Sequence, residues 1–355
     1  NNLEYNARRD LEEMKNYNNN VSVITFFDGK DEPDAIYALD EFGEQQKICT
    51  FDQDLDSGNK DSLLKWMDSI FGEYESFYRA LILWDHGNAW IYDSKNLSST
   101  YTPKAICFDE TSKISTAELR EVLESYTGPE IDLLCMDACL MGSIEVLYEL
   151  KGLVDYVVAS SFSVPVDGYN YSFLNQITPT DNALSVGEKI VEAYKKYYDG
   201  NNYWENEGLS LAVYDMSKVE FTTYYVDLLG KRLSNVMNSS IRNTIHSLYQ
   251  YLTVYYYLKD QDNVYYPVLV DLNDCAYRMQ SIDDSDVQNY AQQIQNSLDQ
   301  LVVYEYVEKT NRVINNPVSI FMPKSINTFN SYINDYSTLL FKDLKWDDFL
   351  QSWLK

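Results

Sequence analysis

RALILWDHG, residues 79 to 87, and IDLLCMDAC, residues 131 to 139, decide the reading of this chain. Each is a short, almost unbroken apolar run that ends on chemically active residues. Such a run is too short for a core helix and lacks the alternation of a half-exposed strand, so it predicts a strand covered on both faces. VSVITFFDG at 21–29, DYVVASS at 155–161, LSLAVYDM at 209–216 and PVSIFMP at 317–323 read the same way. Helical patterns lie between them. Leu3, Ala7, Leu11 and Met14 share one face of the opening segment, and further helices are predicted over Ser62 to Arg79, Ser115 to Tyr126, Leu140 to Lys151 and after Asn182. Ser115 followed by Glu118 is a capping box. Strands and helices in alternation predict an α/β fold with a mainly parallel central sheet flanked by helices.

The 355 residues fit one or two domains. The division expected is a catalytic core over 1–217 and a mostly helical part over 218–355. That second part returns to the sheet with a strand near 317–323 and is integral to one large domain. With 45% hydrophobic and 15% aromatic residues the chain buries a sizeable core. Its 28 Lys+Arg against 55 Asp+Glu give a net charge of −27. That field repels phosphate backbones and anionic lipid, which excludes nucleic acid as a partner. No apolar run approaches the ~20 residues of a membrane span.

Only two histidines occur, His86 and His246, so a multi-histidine metal site is excluded within one chain. The cysteines are Cys49, Cys107, Cys135, Cys139 and Cys275, an odd number without CxxC spacing. That argues against a zinc ribbon and a complete disulfide framework. DQDLDSGNKDSL at 52–63 superficially suggests a calcium loop, but Gly58 is one position late and Leu63 stands where the bidentate Glu belongs. It reads as a solvated turn. His246, in the helical IRNTIHSLYQ, reads as structural, and Cys49, Cys107 and Cys275 as inert buried thiols.

The chemistry concentrates at the ends of the two decisive runs. His86 would sit at the carboxyl end of its strand, where α/β sheets place ligands and catalytic groups. Cys139 ends the next strong run and precedes a helical pattern, so the thiol is expected near a helix N-terminus with a lowered pKa. Were the two strands neighbours, His86 and Cys139 would share one crevice. The thiolate would then attack a carbonyl while the imidazole serves the leaving amine. Gly87 leaves room for the substrate and offers an oxyanion donor alongside the N–H of Cys139.

LILWDHG at 81–87 and LLCMDACLMGSIEVLYEL at 133–150 resemble the two active-site blocks of the clostripain family of cysteine peptidases. These are caspase-like enzymes of the same clan as gingipains, legumains and separases. NNLEYNARRDLEEM, ASSFSVPVDGYNY at 159–171, LSLAVYDMSK, NNPVSIFMP and the terminal KWDDFLQSWLK extend the resemblance over the whole chain. It implies a caspase-like α/β/α sandwich, His86 as catalytic histidine and Cys139 as nucleophile. It also implies a bacterial, secreted thiol protease of zymogen type, active outside the cell or at its surface, that cleaves after Arg or Lys. Asp137 matches one carboxylate of the pocket for that basic side chain, and Asp167 a second. Self-cleavage is expected between the two catalytic strands, with Lys104 followed by Ala105 as the preferred site. No cofactor and no essential calcium are expected, and the enzyme reads as a monomer acting on protein or peptide substrates. The family's fold opens with a strand before the NNLE helix, so from Asn1 onward the sheet is expected to lack one strand. The competing readings are a non-catalytic binding protein on the same fold, and a transpeptidase or ligase that resolves the same thioester with an amine.

Overall fold

The apolar runs become strands, and the polar, capped segments become the helices between them. The structure is a computed structural model that describes residues 3–15, 20–30, 33–53, 55–91, 106–109, 112–199, 208–259, 265–308 and 315–355. Its first part comprises α1 (Glu4–Glu13), β1 (Ile24–Phe27), β2 (Ala35–Leu39), β3 (Gln45–Thr50), α2 (Lys60–Glu73) and β4 (Ala80–Trp84). There follow β5 (Ile106–Asp109), β6 (Ser112–Ile114), α3 (Thr116–Ser125), β7 (Leu133–Asp137), α4 (Ile144–Glu149), β8 (Tyr156–Ala159), α5 (Ala183–Tyr198) and β9 (Ser210–Asp215). The remainder is α6 (Val219–Val236), α7 (Ser239–Tyr249), β10 (Val254–Lys259), β11 (Tyr265–Asp271), α8 (Leu272–Met279) and α9 (Ser285–Leu301). It closes with β12 (Val302–Val307), β13 (Ser319–Phe321), α10 (Ile326–Tyr336) and α11 (Trp346–Leu354).

The central sheet has the order β12-β9-β8-β7-β4. β4, β7 and β8 are parallel, and β9 is antiparallel to both β8 and β12, so within this sheet only β9 points the other way. β7 is buried along its whole length. Leu134 and Met136 face a core shared with α2, α3, α4, α6 and α9, whereas Leu133 and Cys135 face a second core built on α5 and Tyr171–Phe173. The α/β/α sandwich follows directly from that alternation. The capping box at Ser115 and Glu118 forms as read, each side chain holding the other's backbone N–H.

Several expectations are corrected. The strand expected at 317–323 does not return to the central sheet. It is β13, which pairs antiparallel with β11 in a separate sheet. The edge beside β9 is already filled by β12, and β13 is anchored instead on the start of α4. Its Ser319 N–H donates to the Gly142 carbonyl at 3.0 Å, and Phe321 N–H donates to buried Glu145 at 2.8 Å. The segment from 218 to 315 carries helices as expected, but also β10, β11 and β12. VSVITFFDG forms a strand in an antiparallel sheet with β2 and β3, and Ile24, Thr25 and Phe26 stay half-buried. Cys49, expected buried, is exposed because β3 is a polar edge strand. Among the described residues no helix is long and apolar enough to cross a membrane.

Candidate active site

β4 and β7 lie side by side in register, with Trp84 opposite Asp137, so the chain ends that leave them emerge together. The Asp85 N–H donates to the Asp137 carbonyl at 3.3 Å, which extends the pairing one residue further. Asp85 then braces the turn: its carboxylate accepts from the N–H of His86 at 2.6 Å and from the N–H of Phe108 on β5. The imidazole of His86 meets Phe108 edge-on, with ring centroids 6.4 Å apart. Partial burial lowers the pKa of His86 below its ordinary value, so the ring is neutral at neutral pH and able to accept a proton.

Gly87 is pressed against the other strand end. A Cβ at this position would stand 2.5 Å from the Cys139 carbonyl oxygen and 2.9 Å from its nitrogen, so only glycine lets the two backbones approach this closely. The Cys139 sulfur accepts from Val164 N–H at 3.2 Å, and the Gly87 N–H and Ser163 hydroxyl also lower its pKa. Burial outweighs these donors, and the nearby Asp137 charge acts in the same direction as burial, so the thiol pKa is raised. The expected lowering by a helix dipole does not occur. Leu140 turns the chain with φ of 66°, and α4 begins only at Ile144. At neutral pH the Cys139 thiol and the His86 imidazole are therefore both neutral.

Asp137 is buried, with 4% of its surface exposed. Its Oδ2 accepts from Tyr169 N–H at 2.8 Å and from the Tyr171 hydroxyl at 3.3 Å. Burial pushes its pKa up to about 8. Gly168, with φ of +61°, lies so close that a Cβ would be 2.7 Å from Oδ2. Asp167 is one residue further back in the same loop. It receives the Arg9 guanidinium on Oδ1, the Tyr197 hydroxyl on Oδ2 at 3.2 Å, and the Asn6 amide at 3.5 Å. Lys104 and Ala105 lie outside the described residues.

Sequence reasoning missed Val164, because a backbone N–H carries no residue signature, and Ser163, whose hydroxyl is one of several in the segment; their only signal was membership of the ASSFSVPVDGYNY block. It also missed Tyr169 and Tyr171, whose N–H and hydroxyl hold Asp137. The other reactive residue types lie elsewhere. Cys135 and Cys275 are buried, the latter against Met322 sulfur at 3.7 Å, and burial pushes both thiols up. His246 on α7 packs against Trp353 with ring centroids 5.1 Å apart. Among the described residues no group of three or more His, Cys, Asp or Glu is placed to hold a metal ion.

Comparison with known proteins places this geometry. The profile of the clostripain family matches residues 1–353. Clostripain of Hathewaya histolytica is 25% identical over 400 aligned residues, covering 94% of this chain and 74% of that protein. An inactive zymogen of a C11 protease from Parabacteroides distasonis superposes with a TM-score of 0.70 at 17% identity, over 99% of this chain and 94% of the other. A secreted C11 cysteine protease from Bacteroides thetaiotaomicron, solved with an irreversible peptide inhibitor, superposes with a TM-score of 0.66 at 18% identity, over 95% of each chain. These likenesses establish the caspase-like fold, and the profile match over nearly the whole length establishes the family: this chain belongs to the clostripain family of cysteine peptidases.

Proposed function

We propose that Cys139 and His86 form the catalytic dyad of an endopeptidase that cleaves after Arg or Lys. The observation that carries this is the contact between the two strand ends, in which the Gly87 backbone packs on Cys139 and its N–H reaches the sulfur. His86 takes the thiol proton as the sulfur attacks the scissile carbonyl carbon. The oxyanion is received by the N–H groups of Gly87 and Cys139. Collapse breaks the C–N bond, and the imidazolium gives its proton to the leaving amine. A water then loses a proton to His86 and attacks the thioester carbonyl, which releases the carboxylate product and restores the thiol.

Asp137 and Asp167 are the carboxylates read as selecting the basic side chain. A buried carboxyl such as Asp137, protonated near neutral pH for want of a cation, favours an arriving guanidinium or ammonium and gives a neutral side chain nothing in return. The net charge of −27 favours encounter with basic peptides at low salt. Self-cleavage between Lys104 and Ala105 is read as the activating event, and action outside the cell is supported by the secreted relative. The test compares fluorogenic peptides ending in Arg, Lys, Asp and Asn, with the native protein and Cys139→Ala. Cleavage of the basic peptides alone, abolished by the substitution, is the expected result; equal rates for the variant or preference for an acidic residue would sink the reading. N-terminal sequencing of an active preparation decides the processing step, and a single unbroken chain removes it.

A further inference from the structure

The β5–β6 hairpin grips the histidine turn at three consecutive residues. The Asp85 carboxylate accepts from Phe108 N–H, the His86 ring meets the Phe108 ring edge-on, and Gly87 forms an antiparallel bridge with Ile106. The hairpin is shaped for this contact. Ile106 lies opposite Ile114 and Phe108 opposite Lys113, so β5 carries one residue more than β6, and that bulged residue, Cys107, takes a φ of 55°. A left-handed non-glycine residue at a bulge is strained backbone that re-aims its neighbours, and here the Phe108 N–H goes to Asp85. The hairpin is held in turn by the loop ahead of α2. The Ser112 hydroxyl donates to Asp56 Oδ1, and Gly58 is pressed on the start of β6, where a Cβ would stand 2.6 Å from the Ser112 carbonyl carbon and 2.7 Å from the Lys113 nitrogen. That loop is fixed at both ends: buried Asp34 accepts from Leu55 N–H at 2.6 Å, and Asn59 caps α2 by accepting from Asp61 N–H at 2.8 Å.

We infer that Asp85 is a positioning residue for His86, and that it acts by clamping the histidine turn to the β5–β6 hairpin. Its two oxygens are engaged by two backbone donors, Oδ1 by His86 N–H at 2.6 Å and Oδ2 by Phe108 N–H. One half-buried carboxylate thus fixes both the backbone that carries the imidazole and the backbone that carries the ring packed beside it. A neutral side-chain amide has a single acceptor oxygen and matches only one of these donors. The contribution is geometric. Proton transfer needs the imidazole within hydrogen-bond reach of the sulfur and the leaving amine, and a displacement of about 1 Å costs up to about 100-fold in rate. The Asp56–Gly58 loop, which in sequence superficially suggests a calcium site, is thereby the outer support of the histidine turn. The inference rests on the proposed role of His86 and is independent of the preference for Arg or Lys.

Asp85→Ala and Asp85→Asn are compared with the native protein by kcat, KM and the pH profile of kcat/KM, on whichever fluorogenic peptide the native protein cleaves. Iodoacetamide labelling of Cys139 is followed by mass spectrometry at a pH where the thiol is ionised. In Asp85→Ala kcat is expected to fall about 10- to 100-fold, and less in Asp85→Asn, while KM stays within about twofold and Cys139 labels at the native rate. Ser112→Ala, which cuts the hairpin from Asp56, should lower kcat several-fold with KM again unchanged, and it stands in should Asp85→Ala fail to fold. Native kcat in Asp85→Asn and Ser112→Ala overturns the inference. So does a labelling rate that falls along with kcat, since the damage would then lie at the sulfur. A clear downward shift of the acid limb in Asp85→Asn also overturns it, because the carboxylate would then act on the imidazole by charge. His86→Ala at native kcat would sink the dyad reading itself, whereas its expected loss beside unchanged Asp85 variants sinks the clamp alone.

Discussion

The Arg9 guanidinium on α1 is seated on Asp167, 158 positions later in the chain: Nη1 donates to Oδ1, and Nη2 donates to the Asp167 carbonyl at 2.9 Å. A carboxylate read as a receiver of substrate cations therefore already holds a cation of its own. Arg9 also reaches buried Asp10 at 3.0 Å and Glu13 at 3.8 Å, so one guanidinium serves three acidic groups.

Replacing Arg9 with Met tests what that contact does. With the guanidinium gone, Asp167 is open to a substrate side chain. KM for an Arg-ending peptide is expected to fall several-fold with kcat nearly unchanged, while stability drops by about 1–3 kcal/mol through the lost charged hydrogen bonds. A loss of stability with no change in KM would make Asp167 a fold anchor and leave Asp137 as the specificity carboxylate.

The neutral resting states of Cys139 and His86 give a second expectation. Burial holds the Cys139 thiol above its ordinary pKa and His86 below its own. Alkylation of Cys139 by iodoacetamide should therefore rise with pH at higher values than for glutathione. The acid limb of kcat/KM should fall below the ordinary imidazole range if His86 is the base. His86→Ala is expected to lower kcat by about 10²- to 10⁴-fold. An alkylation midpoint below that of glutathione would indicate a preformed thiolate–imidazolium pair.

How much was legible in the sequence follows from where the information lies. β7 was readable because a strand covered on both faces must be apolar at every position, β4 because ALILW is equally apolar although Ala80 is exposed and Ile82 and Trp84 are half-buried, and His86 and Cys139 because they end those runs. β2 and β3 were missed because their outer faces are wet: QQKICT has polar residues where a buried strand would have apolar ones. β10 and β11 were missed because Tyr suits strand and helix faces alike. The Arg9–Asp167 and Arg120–Glu149 pairs join elements distant in sequence, and no local pattern announces such a partner.

Asp137 gives stability a definite pH dependence. Its carboxyl has a pKa of about 8 in the folded chain, raised by burial from an ordinary value near 4. The folded state therefore holds a proton that the unfolded state releases between these values. The contribution is fully present below the ordinary value and is lost as pH rises through about 8. Asp10, Glu145 and Asp271, each pushed up by burial to about 7, act with the same sign. Denaturant unfolding followed from pH 4 to 9 should show falling stability, and Asp137→Asn, which keeps an acceptor for Tyr169 and Tyr171, should flatten the curve. A native curve that is flat over this range, or a variant with unchanged slope, contradicts the assignment.

Glu149 ties α3, α4 and the C-terminal segment together. Its Oε1 accepts from Leu340 N–H at 2.6 Å and Phe341 N–H at 3.2 Å, and Oε2 receives Arg120. The carboxylate side chain is fully buried, and burial raises its pKa while Arg120 and the two N–H donors pull it down. Removing the cation alone strands a buried charge, so Arg120→Met is expected to cost about 3–5 kcal/mol in denaturant unfolding. Glu149→Gln keeps an oxygen for Leu340 and Phe341 but leaves the guanidinium with only the more exposed Glu124, 3.8 Å away. The double variant removes both charges, so its loss should fall short of the sum of the two single losses by a coupling energy of about 1–3 kcal/mol. Additive losses would mean that Arg120 and Glu149 contribute separately, with the two backbone donors alone holding the C-terminal segment to α4.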